Sequence, residues 1–203
     1  MSLYIALEGG EGGGKSTQSK RLAERLEQEG IPVRRTREPG GTRIGDQIRT
    51  LLFDPEVIPR TEVFLFQAAR AQLIDTVIEP ALQKGQVVIS DRSYWSSVVY
   101  QGYGRTYGAQ RILDMSSFAT KEITPNRVYL LDIDPQIALG RKRAQREENK
   151  FEEEQLEFHN RLRTGFLEQA EKKSNCFRVL DATQPVEDLH QQIYTDFQQL
   201  RQG

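Results

Sequence analysis

Short apolar runs alternate along the chain with longer stretches in which apolar side chains recur every three or four positions. Five runs read as strands: Leu3 to Leu7, Ile31 to Arg37, Val87 to Asp91, Arg127 to Ile133 and Cys176 to Leu180. Each is bounded by turn-prone residues or by a change of period, as strands between helices are. Between the first two, Leu22 and Leu26 stand four apart among Lys20, Arg21, Glu24, Arg25 and Glu27, which predicts a helix with one buried face, ended by Gly30. Arg60 to Gln83 reads as one long helix. In it Val63, Phe66, Arg70, Leu73 and Val77 follow the three-and-four spacing, so Arg70 is directed towards the interior among core residues. Alternating strands and helices predict an α/β fold, a parallel sheet covered by helices on both faces in three layers.

No repeat, proline-rich linker or low-complexity tract divides the chain, and its 203 residues read as a single domain, 1–203. One segment differs in texture: Arg141 to Glu154 is densely and oppositely charged with almost no apolar content, the composition of a mobile flap. Elsewhere the charges nearly cancel, 28 basic against 29 acidic for a net of -1, which speaks against a polyanion such as nucleic acid as partner. No apolar run approaches the roughly 18 residues of a membrane span. One cysteine, Cys176, allows no internal disulfide, and no charged-then-apolar leader precedes Leu3, so a reducing cytoplasm is the expected compartment.

The first strand runs into GGEGGGKST, Gly9 to Thr17, which matches the spacing G-x-x-x-x-G-K-[ST] between a strand and a helix. Backbone amides can surround phosphate oxygens only where no Cβ blocks the approach, so Gly9, Gly12, Gly13 and Gly14 keep this loop bare. The helix starting near Lys15 turns its unpaired N–H groups and positive dipole end towards the same anion. In this motif Lys15 reaches the β- and γ-phosphates and the Ser16 hydroxyl is a Mg²⁺ ligand. The third strand ends at Asp91, like a Walker B acid, and supplies a second oxygen for that ion. The absence of a guanine-reading motif counts against a GTPase, since the nearest string, Asn149-Lys150-Phe151-Glu152, follows no strand and ends in Glu. Arg37 follows the second strand, Arg92 the third, and Arg70 shares a helix face with Phe66. Strand ends of one kind gather at one edge of a parallel sheet, so the three arginines are expected to converge on a second phosphate, with Phe66 near for a base to stack on.

With these residues in place, the chain resembles thymidylate kinase of the bacterial type, within the nucleoside monophosphate kinase branch of P-loop proteins. The likeness covers nearly the whole length. It rests on the loop together with REPGGTRIGDQIRTLL (Arg37 to Leu52), LFQAARAQ (Leu65 to Gln72), SDRSYWSSVVYQG (Ser90 to Gly102) and LLDIDPQIALGRKR (Leu130 to Arg143). The resemblance implies a P-loop NTPase fold with five parallel strands in the order 2-3-1-4-5, a lid over about 141–154, and ATP- and Mg²⁺-dependent phosphorylation of dTMP to dTDP by a homodimer. It implies ATP binding by Gly9, Gly10, Glu11, Gly12, Gly13, Gly14, Lys15, Ser16 and Thr17, with Arg141, Ala182 and Thr183 over the adenine. It implies dTMP binding by Arg37, Glu38, Phe66, Arg70, Arg92, Ser96, Ser97, Tyr100 and Gln101. Phe66 stacks on thymine, Ser96 and Ser97 face the base edge, Tyr100 lies against the deoxyribose and disfavours a 2′-hydroxyl, and Gln101 lies near sugar and base. Glu11 stands between the substrates, at the sugar 3′-hydroxyl or the magnesium water shell.

Because the loop has Gly12 and Gly13 where a side-chain cation could sit, the resemblance assigns extra catalytic charge to the lid, where Arg146 and Lys150 are candidates beside the catalytic residues Lys15, Glu11 and Arg92. Two departures stand out. The family's D-R-x-E is Asn149-Lys150-Phe151-Glu152 here, and lysine lacks the bidentate fork of arginine, so Lys150, Arg146 or Arg143 takes that part. Ala69 replaces an acid that often precedes the arginine at 70. A deoxynucleoside kinase on the same fold and a nucleotide-dependent switch stay open as other readings, and the convergent arginines count against the switch.

Overall fold

A computed structural model describes residues 2–145 and 156–202. Side-chain alternation along the strands decides its layers. In β1 (Leu3–Glu8), Leu3, Ile5 and Leu7 enter one core with Leu22, Ala23 and Leu26 of α1 (Lys15–Gln28) and Leu189, Ile193 and Phe197 of α9 (Val186–Gln202). Tyr4 and Ala6 point to the opposite face, where they pack against other helices. The sheet is parallel and five-stranded, with β2 (Val33–Arg37), β3 (Val87–Asp91), β1, β4 (Arg127–Asp132) and β5 (Phe177–Asp181) side by side in that order. This is the expected order 2-3-1-4-5. Register places Leu7 and Arg37 opposite Asp91, Glu8 opposite Leu130, and Asp132 opposite Asp181. All five strands therefore end along one edge.

The second face is covered by α3 (Pro59–Leu73), α4 (Glu79–Gln83), α5 (Tyr94–Ser97), α6 (Ala109–Thr120) and α8 (Leu156–Lys172), and α2 (Arg43–Leu52) packs on α3. The single long helix expected over Arg60 to Gln83 is interrupted by a π-helical stretch, Ile74–Ile78, between α3 and α4. Pro80 accounts for the break: it has no N–H to give to the Thr76 carbonyl, and its ring crowds that carbonyl. Ser96 and Ser97 close α5, which runs into a second π-helical stretch, Val98–Gly104. Strand β2 starts later than the apolar run, because Pro32 offers a carbonyl to Val87 N at 2.9 Å but has no N–H to pair. Val63, Leu73 and Val77 are core residues, as their spacing predicts. Of the expected lid, residues 141–145 complete α7 (Pro135–Gln145); Arg146 and Lys150 lie outside the described residues.

One polar clip fastens α9 to the sheet. Asp196 accepts from Tyr129 Oη at 3.0 Å and from Arg178 Nε at 2.9 Å, and its other contact is the largely buried Arg127 guanidinium at 2.9 Å. Removing the carboxylate leaves Arg127 without its counter-charge. Asp196→Ala is expected to destabilise the fold by about 2–3 kcal/mol, read as a shifted urea midpoint with unchanged m. An unchanged midpoint would show that this clip contributes no net stability.

Candidate active site

The carboxyl edge of the sheet carries a cleft of about 480 Å³. Its floor is the loop between β1 and α1. Gly9 has φ 133° and a Cβ there would lie 2.5 Å from the Leu131 carbonyl oxygen; Gly12 has φ 70° and a Cβ would lie 2.6 Å from the Ala138 carbonyl oxygen. The bare backbone is thus required by the packing of the loop on β4 and α7 as well as by any ligand. Lys15 opens α1 and is largely buried, with Nζ donating to the Gly9 and Gly10 carbonyls at 3.0 and 2.6 Å. Burial, helped by the charge of Arg92, pushes the Lys15 ammonium down to about 8, against the pull of Glu11, Asp91 and Glu8.

Ser16 Oγ donates to Asp91 Oδ2, so the first turn of α1 and the end of β3 meet through two hard oxygen groups. Among the described residues no cluster of three or more His, Cys, Asp or Glu could hold a metal by itself. A hydroxyl and one carboxylate are nevertheless the donor set that suits Mg²⁺, which keeps several waters and takes phosphate oxygens as further ligands.

Arg92 is the hub of the cleft. Its backbone is left-handed at φ 73°, held by N–H donation to Leu7 O at 2.9 Å and by Ser90 Oγ donating to its carbonyl at 2.6 Å. From there Nη2 donates to Glu11 at 2.6 Å and Nη1 to Ser96 Oγ at 3.1 Å, and the guanidinium lies 5.2 Å from the centre of the Tyr100 ring. Burial works against its charge, and Tyr100, Glu11, Glu8 and Asp91 outweigh it, so its pKa is raised. The Tyr100 hydroxyl reaches Glu11 at 3.5 Å.

Deeper in the cleft, Arg70 is 1% exposed and is held from four sides. Nε donates to Glu38 at 2.8 Å, Nη1 to Gln67 at 2.8 Å and Nη2 to Ser97 Oγ at 2.9 Å, and Nη2 also lies 2.7 Å from Glu38. Burial pushes the Glu38 carboxyl up, and Arg70 pulls it back. Phe66 is half-buried one turn earlier on α3 and lines the same cleft, with Ser97, Tyr100 and Gln101. Arg37 stands on the rim, 55% exposed and paired with Asp46 at 2.9 Å. The three arginines predicted to converge therefore line one cleft at three depths. Arg141, Ala182 and Thr183 meet beside it: Arg141 Nη1 donates to the Ala182 carbonyl at 2.9 Å, and Thr183 N and Oγ1 bond Asp181 at 2.8 and 2.7 Å.

Several residues that line the cleft or support it from behind are not marked by the sequence motifs. Glu8, fully buried at the end of β1, accepts from Ser93 N, Ser93 Oγ and Ser96 Oγ at 2.7, 2.8 and 2.6 Å and so fixes the turn that carries Arg92. Burial raises its carboxyl, opposed by Arg92 and by the Ser96 and Ser93 bonds. Alternation was the available signal, since Tyr4, Ala6 and Glu8 share one side of β1. Arg49 and Leu52 of α2 and Ser93 also line the cleft, and Arg49 Nη1 donates to the Pro39 carbonyl at 3.2 Å. Gly45, Arg49 and Leu52 fall at i, i+4 and i+7, a spacing that could have marked their common face.

A loop of this kind at a strand–helix junction, an acid closing the neighbouring strand and a second anion-suited depth beside them define a P-loop kinase of small molecules. The profile of the family described as thymidylate kinase matches residues 7–193. Thymidylate kinase of Fervidobacterium nodosum is 40% identical over 195 residues, covering 96% of this chain and 98% of that one. The Deinococcus radiodurans thymidylate kinase is 42% identical over 196 residues, covering 96% and 95%. The crystal structure of thymidylate kinase from Ehrlichia chaffeensis superposes with a TM-score of 0.79 at 29% identity, covering 97% of this chain and 98% of that one. The chain belongs to the thymidylate kinase family, whose members phosphorylate dTMP to dTDP with ATP.

The lowered Lys15 carries a pH dependence with a definite sign. A triphosphate bound at the loop favours the ammonium, so its pKa rises on binding, and above pH about 8 nucleotide binding takes up a proton. ATP affinity should fall by up to about tenfold per pH unit beyond that point. Titration calorimetry at pH 9 in buffers of different ionisation enthalpy reads the uptake directly, and zero uptake with flat affinity would rule out a titrating Lys15.

Proposed function

We propose that this chain transfers the γ-phosphoryl group of ATP to dTMP with the residues of the cleft in definite roles. One observation carries the assignment of sides: the phosphate loop with Lys15 forms one end of a continuous cleft, and the buried Arg70 with Phe66 forms the other. ATP is assigned to Gly9, Gly10, Gly12, Gly13, Gly14, Lys15, Ser16 and Thr17, with its adenine beside Arg141, Ala182 and Thr183. The nucleoside monophosphate is assigned to Arg37, Glu38, Phe66, Arg70, Arg92, Ser96, Ser97, Tyr100 and Gln101. Its base stacks on Phe66, and its sugar lies by Tyr100.

In the reaction an oxygen of the dTMP phosphate bonds to the γ-phosphorus, and the bond from that phosphorus to the β–γ bridging oxygen breaks, releasing ADP. The attacking group is already anionic and no base is required, so the protein's part is alignment and charge neutralisation. Lys15 and Arg92 supply cations at either side of the transferred group. Glu11 keeps Arg92 extended across the cleft and offers its carboxylate to the sugar 3′-hydroxyl or to metal-bound water. Magnesium, held through Ser16 and Asp91, would supply neutralisation of the β- and γ-phosphate charge. Arg146 and Lys150 of the lid are proposed to add charge in the transition state.

Initial rates of ADP formation with dTMP, dUMP, UMP, CMP, AMP, GMP and thymidine test the assignment. dTMP is expected to exceed every other acceptor at least tenfold in kcat/KM, and Lys15→Ala to lose about 10²-fold or more in kcat. Preference for thymidine would reassign the chain to deoxynucleoside phosphorylation.

A cytoplasmic homodimer is proposed as the working form. No helix among the described residues is long and apolar enough to cross a membrane. On α3 and α6, which pack together, Phe64 and Phe118 are 60% and 91% exposed, an apolar face suited to a second copy. Sedimentation velocity of the 23.3 kDa chain should give twice that mass, and Phe64→Glu with Phe118→Glu should shift it to monomer. A wild-type monomer at micromolar concentration would refute the dimer.

A further inference from the structure

The amide of Gln101 is held one way round. Gln101 lies in the π-helical stretch Val98–Gly104, is 1% exposed, and lines the cleft with Phe66, Arg70 and Ser97. Its Nε2 donates to Glu62 Oε1 at 2.7 Å, while its Oε1, buried, has no hydrogen-bond partner among the described residues. A primary amide has a donor end and an acceptor end of nearly equal shape, and neighbours decide which end goes where. An ionised carboxylate only accepts. Turned round, the amide would set its oxygen against the Glu62 oxygen and lose the bond. Glu62 lies in the first turn of α3, at the positive end of the helix, and the Arg105 guanidinium is 3.8 Å from its other oxygen. Glu62 is itself 3% exposed, so the pair lies away from bulk solvent.

We infer that Glu62 is a specificity-determining positioning residue: by orienting the Gln101 amide it leaves an acceptor for the pyrimidine edge, selecting a base with a hydrogen on N3 over one with a lone pair there. The inference rests on the reading that the cleft takes dTMP. A buried acceptor without a partner is satisfied by the N3–H of a thymine or uracil ring. The N3 lone pair of a cytosine ring would face it as a second acceptor and leave both unpaired, an arrangement that discriminates far more strongly than a missing contact does. Glu62 touches no substrate in this account and acts through Gln101 alone.

The test compares dTMP with 5-methyl-dCMP, which differ only along that edge. In Glu62→Gln the neighbour can donate or accept, so the Gln101 amide is free to take either orientation. The dTMP to 5-methyl-dCMP ratio of kcat/KM is expected to fall about tenfold or more, with the KM for ATP unchanged. Glu62→Asp, still an acceptor only, should keep the ratio. In a Gln101→Ala background Glu62→Gln should leave the ratio where Gln101→Ala alone puts it. Should Glu62→Gln not fold, Glu62→Ser removes the carboxylate, admits water and carries the same expectation. Equal losses on both substrates, with the ratio held within threefold, would overturn the inference and reduce Glu62 to a packing role. Failure of the underlying reading shows separately, as a wild-type protein for which dTMP is not the preferred acceptor.

Discussion

Charges gathered at one edge of a parallel sheet have to be balanced by the protein itself, and that constraint organises this molecule. Lys15, Arg70 and Arg92 are all largely buried where the strands end, and each is matched by fixed oxygen: loop carbonyls for Lys15, Glu38 for Arg70, Glu11 for Arg92. Glu8 completes the set without carrying a cation of its own. It accepts from two serines and anchors the left-handed residue from which Arg92 reaches out. Cations held in this way are fixed in place before any anionic group arrives, which is what preorganisation means physically.

Much of this was legible in the amino-acid pattern because it depends on periodicity. Strand order followed from the family likeness, while the existence of five strands and the burial of Leu22, Leu26 and Arg70 followed from spacing alone. What spacing could not give was the pairing of side chains distant in sequence. That Glu38 faces Arg70, 32 positions apart, or that Glu8 faces Ser93 and Ser96, follows from how the helices and turns pack at the ends of the strands, which no local window contains. The break at Ile74–Ile78 was missed for a different reason. The apolar spacing runs unbroken through that region, whereas the missing N–H and the ring of Pro80 act on the turn before it.

The inward Arg70 also shows how a sequence observation can be right in position and incomplete in meaning. Its spacing among core residues implied burial; the structure adds that four of its bonding directions are already filled by Glu38, Gln67 and Ser97. A guanidinium tied so fully is a rigid wall of the cleft, in contrast to Arg37 on the rim, which has one exposed partner and can swing.

The sheet has two open sides, β2 and β5, and their composition has a consequence for how the molecule meets copies of itself. Unpaired backbone at an edge strand invites another strand, and charged side chains discourage it. Arg34, Arg35 and Arg37 line β2, and Arg178 and Asp181 line β5, with Arg35 and Arg178 exposed. Edge-to-edge growth into a larger sheet is thereby blocked at both ends by desolvation and repulsion. The same arginines that decorate the outer strands thus also guard the protein against strand-to-strand aggregation.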